Sequence, residues 1–375
     1  MKVPIIGVET WLNDWEKSAE VDIAQSTIAS LTTQEIMDLD GEGGKTFYEE
    51  LAATKQNYGW IEGSPEFKAE VAKLYEKELD PDCILQTNGA TGANMNALDV
   101  IVNPGDHVIA EYPTYDPLYN IPAMRGAEVE YWHLHEEDGW QPRIEELEAL
   151  VRPDTKLICL NNASNPLGSV LSRDMLEKIA DIARKVGAYV VCDEVYLPLE
   201  DTESYASIVD VYEKGIATNS LSKTYSVPGI RIGWVATHDK DIADQIRYYR
   251  DYSMICGGVY NDLMAVHVLR HRDKILARNR EIVFKNREIV QEWIEKEPRA
   301  SWIPPRGISA SYIRLDIPMD DEEFCLKVLK ERGLLLVPGS RFNLPRGARL
   351  GYCAPEETLR EGLTLLHEAL AEFDA

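Results

Sequence analysis

Short apolar runs alternate with longer amphipathic segments over the first two thirds of the chain. The apolar runs have the length and composition of strands buried on both faces. They lie at residues 84–87, 107–111, 129–132, 156–160, 188–192 and 215–220. Between them, apolar residues recur at helical spacing, as in residues 173–186. Buried strands separated by amphipathic helices are typical of a mostly parallel sheet. The pattern therefore predicts an α/β fold whose helices cover both faces of that sheet.

The pattern changes after residue 239. Charged helical segments extend to residue 297, and prolines then interrupt them. Two short strands are predicted at residues 312–315 and 334–337, and a final helix at residues 356–373. This part of the chain therefore mixes helices and strands without the regular alternation that precedes it.

The first forty residues have little regular period. One short apolar stripe at helical spacing is expected to pack on the body of the protein or on a second subunit; it consists of Trp11, Leu12 and Trp15. We predict a large α/β domain at residues 41–254. A smaller α+β domain is expected to combine residues 1–40 with residues 255–375.

The composition excludes several classes of function. A net charge of −25 argues against nucleic-acid binding, which needs a basic surface for the phosphates. No apolar run has the roughly 18 residues that a membrane-spanning helix requires. The apolar N-terminal stretch ends within a few residues, at Glu9, and does not resemble a signal peptide. We therefore expect a cytoplasmic protein that binds neither nucleic acid nor membrane.

The cysteines and histidines predict no metal site. The six cysteines are scattered and contain no C-x-x-C pair, which is typical of core residues in a reducing compartment. His133 and His135 are spaced to share one strand face, but no third ligand accompanies them.

Polar groups follow the predicted strands, where ligands of parallel sheets bind. The segment from Gly89 to Gly92 follows the first strand and opens a helix, so its N–H groups predict an anion site to which Thr91 adds a hydroxyl. A dinucleotide site is the alternative, but the G-x-G-x-x-G spacing is absent. Asn165, in an Asn-Pro-x-Gly turn, follows the fourth strand.

The last two strand ends carry ionisable groups. Asp193 directly follows an apolar strand, so its carboxylate needs a cationic partner such as a pyridinium N–H. Tyr196 lies three residues further on and can reach the same ring. Lys223 follows the strand at 215–220 and is placed to form a Schiff base with an aldehyde cofactor. Neighbouring groups could hold a phosphate there: Ser220, Ser222 and Arg231.

These motifs, in this order, resemble the class I and II aminotransferases, which use pyridoxal 5'-phosphate on the type I fold. The resemblance rests on Asn165-Pro-x-Gly, Asp193-x-x-Tyr196, Ser220-x-Ser222-Lys223 and Arg231, and extends from about residue 58 to residue 349. It implies an aminotransferase that moves an amino group between an L-amino acid and a 2-oxo acid. It also implies a homodimer.

The resemblance implies a role for each matching position. Lys223 would form the Schiff base and carry the proton, and Asp193 would pair with the ring nitrogen. Tyr196 and Asn165 would hydrogen-bond the ring oxygen, and Tyr115 would stack on the ring. The phosphate would be held by Ala90, Thr91, Ser220, Ser222 and Arg231, together with Tyr58 from the neighbouring subunit. Arg349, with Asn165 nearby, would bind the substrate carboxylate.

Two departures from the family pattern leave the substrate open. Residues 22–30 lack the glycine-containing loop that usually covers the substrate, and Leu167 replaces the usual Thr. The opening at residues 9–16 resembles capreomycidine synthases, which cyclise a hydroxylated arginine with the same cofactor. A cyclase or a β-eliminating lyase is therefore the alternative activity. Three arginines are candidates for binding the substrate side chain: Arg306, Arg341 and Arg346.

Overall fold

A computed structural model describes residues 3–374. Its strands are β1 (Val21–Asp22), β2 (Ile84–Thr87), β3 (His107–Tyr112), β4 (Glu128–His133), β5 (Thr155–Asn161), β6 (Tyr189–Asp193), β7 (Gly215–Ser220), β8 (Gly233–Thr237), β9 (Ala300–Trp302), β10 (Ser311–Leu315), β11 (Leu334–Leu335), β12 (Val337–Pro338) and β13 (Gly347–Leu350). Its helices are α1 (Gly7–Trp15), α2 (Thr33–Met37), α3 (Lys45–Ala53), α4 (Pro65–Ala72), α5 (Gly89–Ile101), α6 (Pro117–Met124), α7 (Ile144–Leu150), α8 (Arg173–Val186), α9 (Ile208–Val211), α10 (Lys240–Arg250), α11 (Val259–Arg270), α12 (Arg272–Ile294), α13 (Asp321–Arg332) and α14 (Glu356–Ala371).

A seven-stranded sheet organises the larger part of the molecule, in the order β2-β8-β7-β6-β5-β3-β4. All its strands are parallel except β8, which runs antiparallel to both neighbours. Apolar clusters fill both faces of the sheet, beneath the covering helices. The predicted α/β fold, with a mostly parallel sheet covered on both faces, is confirmed.

Local sequence signals fix several helix ends. Ser64 caps α4 by accepting a hydrogen bond from the Phe67 N–H at 3.1 Å, and Pro65 occupies the first helical position. Ser172 caps α8 in the same way, and Gly187 ends it in the left-handed conformation. The inward residues of α8, such as Leu176, Ile179 and Ala183, repeat at helical spacing and are buried in the core of the large sheet.

A second core lies around a four-stranded antiparallel sheet, in the order β12-β13-β10-β9. The N-terminal segment joins this core: β1 pairs in parallel with β11, and Trp11 is buried, donating its indole N–H to the Leu336 carbonyl at 2.8 Å. The α+β character of this part agrees with the prediction. Helix α11 contributes to the core of the large sheet, and the domain limits at residues 41 and 254 stay predictions.

The sequence patterns missed one strand of the large sheet. Strand β8 contains Gly233 to Thr237, a short run that directly follows the Arg231 motif. It pairs with β2 on one side and with β7 on the other, so it joins the edge strand β2 to the rest of the sheet. Helix α1 contains the predicted apolar stripe of Trp11, Leu12 and Trp15. Within residues 3–374 we find no helix that is long and apolar enough to cross a membrane.

Gly233 is required at a crowded point of this sheet. It pairs with Thr87 and Ser220, and a Cβ there would lie 2.5 Å from both the Asn219 carbonyl oxygen and the Gly89 carbonyl carbon. Because both obstacles are backbone atoms, Gly233→Ala is expected to lower the free energy of unfolding by about 1–3 kcal/mol. Urea unfolding monitored by circular dichroism would measure the loss.

Gly229→Ala is the matched control, since a Cβ at position 229 has no heavy atom within 4 Å. Equal unfolding midpoints for the two variants would contradict the proposed close approach at Gly233.

Candidate active site

A cavity of about 790 Å³ lies at the carboxyl ends of the parallel strands, between the large sheet and the N-terminal segment. It brings together eleven of the predicted site residues: Ala90, Thr91, Tyr115, Asn165, Asp193, Tyr196, Ser220, Ser222, Lys223, Arg231 and Arg349. They come from widely separated parts of the sequence, and the sheet assembles them because parallel strands end at one edge.

Lys223 presents its amine in this cavity. Its Nζ donates a hydrogen bond to Ser26 Oγ at 3.0 Å, and the same oxygen accepts one from the Tyr196 hydroxyl at 2.7 Å. Burial lowers the pKa of Lys223 to about 8, and the nearby positive charge of Arg349 acts in the same direction. More of the amine is therefore uncharged near neutral pH than in an ordinary lysine, and the uncharged form acts as nucleophile or base.

Asp193 ends β6 and is buried, with 2% of its surface exposed. Its carboxylate accepts hydrogen bonds from Asn94 Nδ2 at 2.6 Å and from the Val195 N–H at 3.1 Å. Burial raises the pKa of Asp193 to about 6, although these hydrogen bonds and Lys223 act to lower it. Within residues 3–374, Asp193 has no ion-pair partner, so the carboxylate is prepared for a cationic ligand.

An anion cradle surrounds the first turn of α5. The helix begins at Gly89, and Ala90 and Thr91 occupy its first turn, where N–H groups are free. A Cβ at position 89 would lie 2.7 Å from Arg231 Nη2, so the absence of a side chain lets the guanidinium approach the helix end. The buried hydroxyl of Ser220 and that of Ser222 lie in the same cavity. This set of donors suits a phosphate group.

Arg349 lies on β13 and is almost fully buried. Its Nη1 donates to Asn165 Oδ1 at 3.3 Å and its Nη2 to the Ala24 carbonyl at 2.9 Å, whereas Nε has no partner within the described residues. Burial lowers the pKa of Arg349, so the site favours an anionic ligand that offsets the desolvated charge. A carboxylate would do so.

Tyr58 is the one predicted site residue that the single chain leaves outside the cavity. Its side chain is 67% exposed, in the segment between α3 and α4.

The three candidate arginines, Arg306, Arg341 and Arg346, are likewise absent from the cavity lining. Arg306 forms an ion pair with Asp201 at 3.3 Å, and Arg341 forms one with Glu322. No group of three His, Cys, Asp or Glu side chains within residues 3–374 could hold a metal ion.

Sequence reasoning missed three residues that contact the predicted site residues. Ser26 comes from the irregular N-terminal segment, where no periodic pattern singled it out. Asn94 is buried within α5, and a polar residue on an otherwise apolar helix face was the available signal. Glu9 lines the cavity from α1 and accepts a hydrogen bond from the Tyr115 hydroxyl at 3.3 Å.

The sequence profile of the family "Aminotransferase class I and II" matches residues 34–366. The chain belongs to this family. It is similar to an aspartate aminotransferase of Thermotoga maritima, with 29% identity over 303 residues, 80% of this chain and 78% of the relative. It is also similar to a capreomycidine synthase of Streptomyces vinaceus, with 26% identity over 370 residues, 98% of this chain and 94% of the relative.

A solved structure of a PLP-dependent aminotransferase from Streptococcus suis is 51% identical in sequence. It covers 100% of both chains with a TM-score of 0.97. This aminotransferase therefore uses pyridoxal 5'-phosphate (PLP), as its motifs implied.

The residues in the cavity fit this cofactor. An amine with a lowered pKa can bond an aldehyde, and a buried carboxylate without a cation can hold a protonated ring nitrogen. The anion cradle at α5 suits the phosphate. The three kinds of group required by the cofactor's chemistry therefore line one cavity.

The lowered pKa of Lys223 predicts how fast the cofactor attaches. Because only the uncharged amine attacks an aldehyde, the rate at which cofactor-free protein bonds PLP is expected to rise with pH, with a midpoint near 8. In Ser26→Ala the ammonium form loses a hydrogen bond, so the midpoint should fall by about one unit. Stopped-flow absorbance would measure both profiles.

Ser18→Ala, on the exposed surface, is the matched control and should follow the unaltered profile. A midpoint near the ordinary lysine value of 10.5 would contradict the effect of burial. An unchanged midpoint in Ser26→Ala would show that the hydroxyl does not act on the amine.

Proposed function

We propose that this aminotransferase moves an amino group from an L-amino acid to a 2-oxo acid at the cavity around Lys223. The observation that carries the proposal is the pairing of a weakly basic amine with a buried arginine in one cavity. The arginine can hold the carboxylate that every amino acid and 2-oxo acid shares, and the amine can then act at the neighbouring α-carbon.

The cofactor, when bound, supplies an electron-accepting ring that stabilises negative charge at the substrate α-carbon. Lys223 would remove the α-proton and return it, since its pKa of about 8 allows both directions near neutral pH. Asp193 would keep the ring nitrogen protonated, because a positive charge there relieves the burial of its carboxylate. These two side chains, together with Tyr196, are the proposed catalytic residues.

The remaining side chains would bind and orient. Asn165 and Tyr196 would hydrogen-bond the ring oxygen, and Tyr115 would stack on the ring. Ala90, Thr91, Ser220, Ser222 and Arg231 would hold the phosphate. Arg349 would hold the substrate carboxylate, with Asn165 already in contact with its guanidinium at 3.3 Å.

A cyclase is the second candidate, and the extent of one match favours it. The aspartate aminotransferase aligns with 80% of the chain, whereas the capreomycidine synthase aligns with 98%. In the longer match only about 2% of this chain is unaligned, so the match includes most of the N-terminal segment. That segment supplies Glu9 and Ser26 to the cavity. Both activities would begin with the same removal of a proton by Lys223.

Products distinguish the candidates. With single amino acids and no 2-oxo acid, a transaminase should change the absorbance of its cofactor once per site and release one equivalent of 2-oxo acid. Lys223→Ala should remove this reaction while leaving the protein folded. Absorbance and product analysis of the purified, PLP-loaded protein would measure it.

Continued release of ammonia together with an oxo acid would contradict transamination and indicate a lyase. A cyclic product without any 2-oxo acid would indicate the cyclase.

We also propose that the protein acts as a homodimer in which Tyr58 reaches the phosphate of the neighbouring subunit. Exposed apolar side chains in two stretches, residues 60–61 and 252–260, support a contact with a second copy. They include Trp60, Ile61, Tyr252, Ile255 and Tyr260. The two stretches are adjacent, because Arg250 Nη2 donates to the Ile61 carbonyl at 2.6 Å. We also propose that the chain divides into a large domain at residues 41–254 and a small domain that combines residues 1–40 with residues 255–375.

Mixed dimers test the crossing directly. One subunit carries Tyr58→Ala and the other carries Lys223→Ala. If Tyr58 acts across the interface, one site of each mixed dimer has both defects and the other is intact. Differently tagged subunits, purified as the mixed dimer and assayed at limiting PLP, should therefore recover activity that neither parent dimer shows.

If Tyr58 acted within its own subunit, neither site would be intact and no recovery would occur. A protein that sediments as a monomer while holding PLP equally well would also contradict the proposal.

A further inference from the structure

One wall of the active-site cavity is formed by helix α1. The residues that α1 and the position after it place in the cavity are spaced three or four apart, which puts them on one helix face. They are Glu9, Leu12, Asn13 and Glu16, and Val8 also borders the cavity. Trp11, on the other side of the helix, is buried in the smaller core and does not line the cavity. The packing of Trp11 therefore directs the polar face of α1 into the cavity.

Two carboxylates on this wall have no cationic partner. Neither Glu9 nor Glu16 forms an ion pair with any residue in 3–374. Other glutamates of the chain, such as Glu62, Glu137 and Glu372, do form ion pairs with lysine or arginine. Glu9 accepts one hydrogen bond, from Tyr115. Its negative charge acts to raise the pKa of both Lys223 and Arg349, against the larger effect of burial. The Glu9 carboxylate is therefore close enough to act electrostatically on both Lys223 and Arg349.

The cations of the cavity already have other roles. Lys223, Arg231 and Arg349 are the only Lys or Arg residues of the described chain that line it, and the proposed function uses all three. Arg349 retains a buried Nε without a partner, an independent sign that an anionic group binds there. A second carboxylate on the substrate would meet no remaining cation of this chain and would face Glu9 and Glu16 instead.

We propose that the amino donor carries a cationic side chain, an ammonium or a guanidinium, which Glu9 binds with the help of Glu16. The inference rests on the proposed function, because Arg349 must hold the α-carboxylate for the side chain to extend along α1. Glu9 would then determine specificity, since its charge favours a basic side chain and disfavours an acidic one.

The sharpest test compares two amino acids of one shape. L-arginine and L-citrulline differ in whether the side chain ends in a charged guanidinium or a neutral ureido group. In single turnovers of the PLP-loaded protein, the apparent dissociation constant is expected to be at least about fivefold lower for arginine. Lysine and norleucine form a second pair with the same expectation.

Variants assign the preference to a residue. Glu9→Gln keeps the shape and removes the charge, so the ratio between citrulline and arginine should shrink to less than about twofold. Glu16→Gln should reduce it by a smaller factor. Glu177→Gln makes the same change on the exposed face of α8, outside the cavity, and should leave the ratio as it is.

A second readout does not depend on turnover. Protein loaded with pyridoxamine 5'-phosphate cannot react with an amino acid, so calorimetry reports binding alone. Arginine should bind it more tightly than citrulline, and added salt should reduce the difference because Glu9 is accessible to solvent.

The possible failures are distinguishable. If neutral or acidic amino acids react but arginine and lysine show no advantage over their neutral partners, the side-chain inference is wrong and the aminotransferase proposal stands. The inference is also wrong if Glu9→Gln weakens arginine and citrulline equally. If no amino acid changes the cofactor absorbance at all, the proposed function itself fails.

Discussion

The active site depends on holding two ionisable groups, the Lys223 amine and the Asp193 carboxylate, away from bulk water at one edge of the large sheet. Burial shifts the pKa of each towards neutrality, to about 8 for the lysine and about 6 for the aspartate. Neither pKa shift is a property of lysine or aspartate as such, because both arise from burial in the surrounding protein. The same burial disfavours both charged forms, so the cavity gains most from a ligand that supplies the missing partners.

The sheet creates this environment through its order and direction. Asp193 lies opposite Asn161 on β5 and Thr218 on β7, and polar groups at these strand ends satisfy one another. Strand β8 closes the gap between β7 and β2 and brings Gly233 against the backbone of Gly89. The anion cradle at α5 is therefore positioned by the packing of the sheet below it, including the close approach at Gly233.

The N-terminal segment connects the two cores and completes the cavity. Its strand β1 pairs with β11, while Ser26 reaches across to Lys223 and Tyr196. Arg349, from the smaller sheet, donates to the Ala24 carbonyl of the same segment. Under the proposed function, the residues that bind substrate would come from the smaller core and the N-terminal segment, and most of those that bind the cofactor from the large sheet. An overall charge of −25 does not prevent the binding of anionic groups, because Lys223, Arg231 and Arg349 all line one cavity.

The sequence by itself determined the α/β fold, the family and the cofactor. Buried parallel strands give continuous apolar runs, and polar groups such as Asp193 and Lys223 follow those runs directly, so local pattern was enough. Only the tertiary structure decided that Ser26 and Glu9 line the cavity and that Asn94 contacts Asp193, since each contact comes from packing between segments distant in sequence. For the same reason, the shifted pKa values and the acidic wall of α1 are tertiary properties: both depend on which groups are near and how much water is excluded.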